Sequence, residues 1–294
     1  MYLSVRDGLV THAGFPTVNA GLKALGVRAA EVGLDRDMSV MSPASGERIV
    51  MAKEAGVNRL RDELAQVGAK GSAFLLPTDF NRGDGEAEIE WHVGALRAAE
   101  ALGMKAIRID AHMTGQDKLP LDERVGIFAA AVKEVIKRTA DCPAAMGIEN
   151  HGMQGNDPNF LRRLFDAVGS ERLGLTLDSG NFYWAGHPLD RVYEIMEELA
   201  GRAKHTHLKN IRYPAEMRNQ QRPLGYEYGK YVAPMYEGDI DHARVFKILA
   251  AAGYDGDLCL EDESLGHYQG EERLEVVRKD IEHMAECLAA AQGK

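Results

Sequence analysis

Short apolar runs alternate along the chain with longer stretches of helical period. The runs are "LSVRDGLV" (3–10), "RAAEVGL" (28–34), "GSAFLLP" (71–77), "KAIRIDA" (105–111), "AAMGIEN" (144–150), "LGLTLDSG" (173–180), "KHTHLKN" (204–210) and "GDLCLED" (256–262). Between them lie segments 17–26, 46–67, 86–102, 121–140, 158–168, 189–202, 240–252 and 272–291, which read as helices with one apolar face. In "FAAAVKEVIK" (128–137), Phe128, Val132, Val135 and Ile136 share a face. "DIDHARVFKILAAAGYDG" opens on aspartates suited to capping and stops at a glycine. Eight strands, each followed by a helix, predict an α/β fold, a single (β/α)8 barrel over residues 1–294. One connection, about 211–239, is too long for a passive link. Following the seventh strand, it would hang over the barrel face that carries active sites.

The ends of four consecutive runs carry ionisable residues: Glu149 in "MGIENH", Asp178 in "LTLDSGN", His207 in "THLKN" and Glu261 in "LCLEDES". One such residue means little, because loops are polar where strands end. Four in succession are a stronger signal, because barrel function gathers at the carboxyl ends of strands. Strand alternation puts Gly147, Thr176, His205 and Cys259 on the same face as the four. That face is small or polar, and the alternate face is mostly aliphatic, as packing against helices requires. His205 would lie roughly 6–7 Å below His207 along its strand, too deep for the same role. Two glutamates, an aspartate and a histidine suit one divalent metal ion of hard to intermediate character. Mn2+ fits best, with Mg2+, Co2+ and Zn2+ also admitted by the donor set.

Composition narrows the field. The net charge of −10 disfavours DNA or an anionic membrane surface as partner. Three scattered cysteines with no CxxC argue against a disulfide frame and a thiolate zinc site. No apolar run reaches membrane-spanning length, and the opening "MYLSVRDGLVTHAG" lacks the build of a signal peptide. A cytoplasmic location is therefore expected. No GxGxxG or GxxxxGK[ST] supports a nucleotide site.

The motifs "GIENH", "LTLDSGN", "HTHLKN", "EGDID" and "LCLED", in this order, resemble the xylose isomerase-like superfamily. Its members include sugar isomerases, ketose 3-epimerases, inosose dehydratases and endonuclease IV. The resemblance implies that Glu149, Asp178, His207 and Glu261 are metal ligands. Many members carry a histidine three residues after the strand-six aspartate, where this chain has Asn181. Endonuclease IV needs that histidine and others for three zinc ions, so abasic-site cleavage is the least favoured reading.

The expected function is isomerisation or epimerisation of a sugar or related polyhydroxy carbonyl compound, by proton abstraction through a metal-stabilised enediolate. Glu149 and Glu261 are the expected catalytic carboxylates. The alternative is a lyase of the inosose dehydratase or keto-glycoside eliminase kind. Substrate contacts are expected from His112, His151, Asn181, Lys209, Arg212 and Glu237. Tyr183 and Trp184 could wall a sugar ring, and Glu31 could face the centre or pair with an arginine. Asp239 is expected to cap the seventh helix. The sequence leaves oligomeric state open, a homo-oligomer included.

Overall fold

The computed structural model describes residues 1–293. Its framework is a ring of eight parallel strands: β1 (Tyr2–Arg6), β2 (Ala29–Gly33), β3 (Lys70–Leu76), β4 (Ala106–Ile109), β5 (Ala145–Glu149), β6 (Leu173–Asp178), β7 (Ala203–His207) and β8 (Asp257–Leu260). Each of β1 to β6 pairs with the next strand, and β1 also pairs with β8. The ring closes where Leu208 bridges Leu260. There Leu208 N donates to Cys259 O (2.8 Å) and Glu261 N to Leu208 O (2.9 Å). The helices that cover the ring are α1 (Val18–Leu25), α2 (Glu54–Ala65), α3 (Gly85–Ala101), α4 (Leu121–Arg138), α5 (Pro158–Val168), α6 (Leu189–Leu199), α7 (His242–Ala251) and α8 (Glu271–Ala291). The chain thus folds as the TIM barrel that its alternation of runs predicts.

The aliphatic core lies between strands and helices. Phe74, Ile107, Ile109, Met146, Ile148, Leu175, Leu177, Leu258 and Leu260 are all fully buried. Helix α4 buries Phe128, Val132 and Val135 as its period requires. The inward-facing positions are different in kind. Ser4, Glu31, Arg108, Glu149, Thr176, Asp178, His205, His207, Asp257 and Glu261 are buried and polar. Many barrels fill this space with branched aliphatic side chains. Here it holds a network of charges.

Two local devices aim that network. A bulge at Lys204 in β7 sets His205 opposite Thr176 and His207 opposite Asp178. In β5, Gly147 leaves room for Thr176, whose Oγ1 would lie 2.5 Å from any Cβ there and instead donates to Gly147 O at 2.9 Å.

The sequence reading errs at three boundaries. The first strand ends at Arg6 rather than at 10, and a short helix Asp7–His12 follows. Asp7 fixes this break, because its carboxylate accepts from Gly8 N and Gly33 N. The helix expected over 46–67 begins only at Glu54; Arg48–Val50 instead pairs with Ser39–Met41 in an antiparallel hairpin. The cap of α7 is Asp241, which accepts from Arg244 N. Asp239 serves the long connection, accepting from Tyr183 Oη (3.0 Å) and Tyr213 N (2.8 Å) and pairing with Arg218 (2.9 Å).

That connection is ordered by its own contacts. Asn210–Ile211 pairs with Val232–Ala233. Asn210 donates to Met235 O and Ile240 O and accepts from Ile240 N. Its side chain would lie 2.0 Å from a Cβ at Gly238, which explains the glycine of "EGDID". Arg222 is buried, stacks on Tyr183 (4.5 Å) and Tyr213 (4.3 Å), and donates to the carbonyls of Met217, Gln220 and His187. Tyr183 therefore anchors the segment and is not free to wall a sugar ring. Among the described residues, no helix is long and apolar enough to cross a membrane.

His92 on α3 gives the fold a pH signature. It is fully buried between Thr78 Oγ1 (2.8 Å) and Glu88 O (2.6 Å), and burial pushes its pKa down to about 4. An unfolded histidine titrates near ~6.5. Between these values the unfolded chain binds a proton that the folded chain does not, so this residue makes stability rise with pH. Its contribution is complete above ~6.5 and is lost progressively as pH falls toward 4. The pH dependence of the unfolding free energy over this window, followed by urea denaturation, should be shallower by close to one proton in His92→Gln. An unchanged slope would contradict a neutral buried imidazole.

Candidate metal centre

Strands β5 to β8 deliver one donor each to the same point. Glu149 closes β5, Asp178 closes β6, His207 closes β7, and Glu261 follows the last residue of β8. Donor atoms of the four lie within 4.8 Å of one another, and all four residues are buried. His207 Nδ1 lies 3.3 Å from Glu149 Oε1 and 3.2 Å from Glu261 Oε2.

Each donor is oriented from behind. Asp178 Oδ1 accepts from Gly180 N and Asn181 N, both at 2.7 Å, which turns Oδ2 toward the centre. Glu31 on β2 accepts from both His205 Nε2 (2.8 Å) and His207 Nε2 (2.9 Å). A carboxylate on Nε2 leaves Nδ1 as the inward atom of His207, an arrangement that metal-binding histidines commonly have. His205 is held on its other side by Asp257 (2.8 Å). It is a deep supporting residue, as its place on the strand predicts. Asn181 Nδ2 donates to Glu149 Oε1 at 3.0 Å.

Three cations balance the carboxylates. Arg108 on β4 pairs with Glu149, and Arg6 on β1 pairs with Glu261. Lys209 Nζ lies 3.2 Å from Asp178 Oδ2 and 3.0 Å from Glu261 Oε2. Against the opposing effect of burial, Arg108 and His207 hold Glu149 well below the usual carboxylate range. Against the same effect, His207, Lys209 and Arg6 do so for Glu261, and His207 and His205 for Glu31. Asp178 goes the other way: burial, opposed by Lys209 and reinforced by Glu149 and Glu261, pushes it up to about 8. Burial opposes a charge on His207, but Glu261, Glu31 and Glu149 raise its pKa well above the usual histidine range.

The donor set fits a divalent ion. His207 Nδ1 and Asp178 Oδ2 are buried atoms without a hydrogen bond, and both face the cluster. Such orphaned atoms are rare and call for a partner. Three oxygens and one imidazole nitrogen, with no thiolate, match an ion of hard to intermediate character.

The remaining expected contacts divide. Asn181 and Lys209 join the cluster. His112 and His151 line a cleft of about 450 Å³ at the ends of β3 to β5, with Asp79, Arg82 and Asp110. His151 Nδ1 sits 3.1 Å from Asp110 Oδ2, and Asp110 in turn pairs with Arg108 at 3.2 Å. Arg212 and Glu237 pair with each other at 3.7 Å on the exposed surface. Sequence reasoning missed Arg6, Arg108 and Asp110, and it left Glu31 undecided. The available signal was a charged residue inside an apolar run, at the inward phase of its strand.

The chain matches the xylose isomerase-like TIM barrel family over residues 20–287. It belongs to that family. Inosose dehydratase of Clostridium botulinum is 25% identical over a 181-residue alignment that covers 55% of this chain and 59% of that protein. The match therefore spans little more than half the length of this relative. In fold, the chain is similar to the IolI protein with a bound zinc atom, with a TM-score of 0.73 at 16% identity and 98% of each chain covered. It is also similar to L-ribulose 3-epimerase, with a TM-score of 0.70 at 14% identity and 99% and 96% of the two chains covered.

Arg108 tests the charge balance. Arg108→Met leaves Glu149 buried without its strongest partner and should cost about 3–5 kcal/mol. Urea unfolding with a chelator present measures this. A loss below about 1 kcal/mol would mean that Glu149 does not depend on the pair.

Proposed function

We propose that this chain is a divalent-metal-dependent enzyme that moves a proton at the carbon beside the carbonyl of a sugar or cyclitol, as an isomerase or epimerase. Glu149, Asp178, His207 and Glu261 would hold the ion. The observation that carries this reading is the pair of orphaned buried atoms, His207 Nδ1 and Asp178 Oδ2, facing two ionised glutamates. A divalent ion there would draw electron density from a substrate carbonyl and so acidify the adjacent C–H.

The protein's own groups supply the rest. Arg108 and Arg6 keep Glu149 and Glu261 ionised, so each can accept a proton. The same pairing makes them weak bases, which suits them only to an activated carbon acid. Lys209 adds a positive charge at the same centre, 3.0 Å from Glu261 Oε2. The cleft at the ends of β3 to β5 offers His112, His151 and Arg82 as donors to hydroxyl groups. Return of the proton to the neighbouring carbon gives isomerisation, and return to the opposite face gives epimerisation.

A second reading, elimination of a β-hydroxyl, shares the first step. The similarity to inosose dehydratase favours it. So does His151, whose pairing with Asp110 raises its pKa and makes it a proton donor at the cleft. Both readings rest on a metal ion, with Mn2+ favoured by the donor set and Zn2+ by the IolI likeness.

The test is to incubate metal-loaded protein with ketoses, aldoses, keto-glycosides and inososes in deuterated water and follow them by NMR. Deuterium should appear at the carbon beside the carbonyl of a substrate. Glu149→Gln should slow that exchange by about 100-fold or more. The product separates isomerase from lyase. Exchange at an unchanged rate in Glu149→Gln would rule out Glu149 as the base.

A further inference from the structure

Lys209 is almost fully buried, and its cationic end touches three carboxylates. Nζ lies 3.2 Å from Asp178 Oδ2, 3.0 Å from Glu261 Oε2 and 3.2 Å from Glu263 Oε1. The first two contacts are on candidate metal donors. Asp178 Oδ2 has no hydrogen bond, so the ammonium stands beside it at 3.2 Å without satisfying it. A dication and an ammonium cannot both occupy the space between these two oxygens. The third partner, Glu263, stands outside the donor set.

The lysine is built so that only its tip can move. Its backbone is tied to Ser179, with N donating to Oγ at 3.1 Å and O accepting from Oγ at 2.9 Å. Its stem runs against Gly180, where a Cβ would come within 2.7 Å of Lys209 Cγ. A short shift of the ammonium would leave Asp178 and Glu261 and keep Glu263. Glu263 also accepts a hydrogen bond from the Tyr228 hydroxyl. Tyr228 begins the single helical turn Tyr228–Tyr231 of the 211–239 connection. The residue before it, Glu227, has φ of 43°, left-handed backbone that a non-glycine residue adopts under strain. Strain of this kind persists only where surrounding contacts hold it, and the Tyr228–Glu263 contact is adjacent.

We propose that Lys209 and a divalent ion compete for Asp178 and Glu261, and that the ion displaces Lys209 onto Glu263, coupling metal binding to the 211–239 connection through Tyr228. This rests on the metal reading above. Lys209 then has two positions, one against Asp178 and Glu261 and one against Glu263 alone when the ion is bound. In the second position Glu263 is fixed by a full positive partner and holds Tyr228 more firmly. The Tyr228 end of the connection would thus be held more firmly once the ion is in place.

The experiment measures Mn2+ binding by isothermal titration calorimetry with the full chain, Lys209→Met and Asp178→Asn. Amide hydrogen exchange over residues 225–232 is followed with and without Mn2+. Lys209→Met should bind Mn2+ roughly tenfold or more tightly than the native chain, because no charge-assisted contact has to be broken first. In the native chain Mn2+ should slow exchange over 225–232, and in Lys209→Met it should not. Equal or weaker binding by a folded Lys209→Met would overturn the displacement. Tighter binding with no change in native exchange would overturn the coupling. If Lys209→Met does not fold, the native exchange result decides alone. No Mn2+ binding by the native chain, or binding unaffected by Asp178→Asn, would overturn the metal reading itself and this inference with it.

Discussion

The structure depends on balancing charge inside a closed barrel. Glu31, Glu149, Asp178 and Glu261 are buried within the ring, where an unpaired carboxylate is costly. Arg6, Arg108 and Lys209, with the two histidines of β7, make the arrangement tolerable. Strand phase, the bulge at Lys204 and the small residue at Gly147 serve this balance by setting which side chains meet. A barrel interior of this kind stabilises the fold less well than aliphatic packing would. It persists because the charges are arranged for a task at the carboxyl end of the strands.

Hydrogen bonding is incomplete at the donor cluster, and that is informative. His207 Nδ1 and Asp178 Oδ2 remain without hydrogen bonds while every neighbouring polar atom of the four donor side chains is engaged. Glu31 behind His207 and the amides behind Asp178 aim both orphans inward. Donors oriented in this way would limit the reorganisation that an ion requires.

Much of this was legible in the sequence. The alternation of apolar runs and helical periods predicts all eight barrel strands and all eight covering helices. The four donors are legible because each ends a run, and His205 is legible as a deeper residue because strands have period two. The arginines were not, for a physical reason. Arg6 and Arg108 sit inside runs that otherwise read as ordinary strands, and nothing local says that a partner lies on the adjoining strand, 255 and 41 residues away. The hairpin at 39–50 was hidden by the helical period of the segment that follows it. Tyr228 and Glu263 meet only because a long connection folds back over the face, which no local pattern encodes.

The chain belongs to the xylose isomerase-like TIM barrel family, and the proposed chemistry rests on the claim that four residues on successive strands hold one metal ion. The most direct test of that claim is anomalous diffraction from crystals soaked in Mn2+. One anomalous peak should lie between the side chains of Glu149, Asp178, His207 and Glu261, with His207 bound through Nδ1. A peak instead among Glu31, His205 and Cys259, or none at full soaking, would contradict the account.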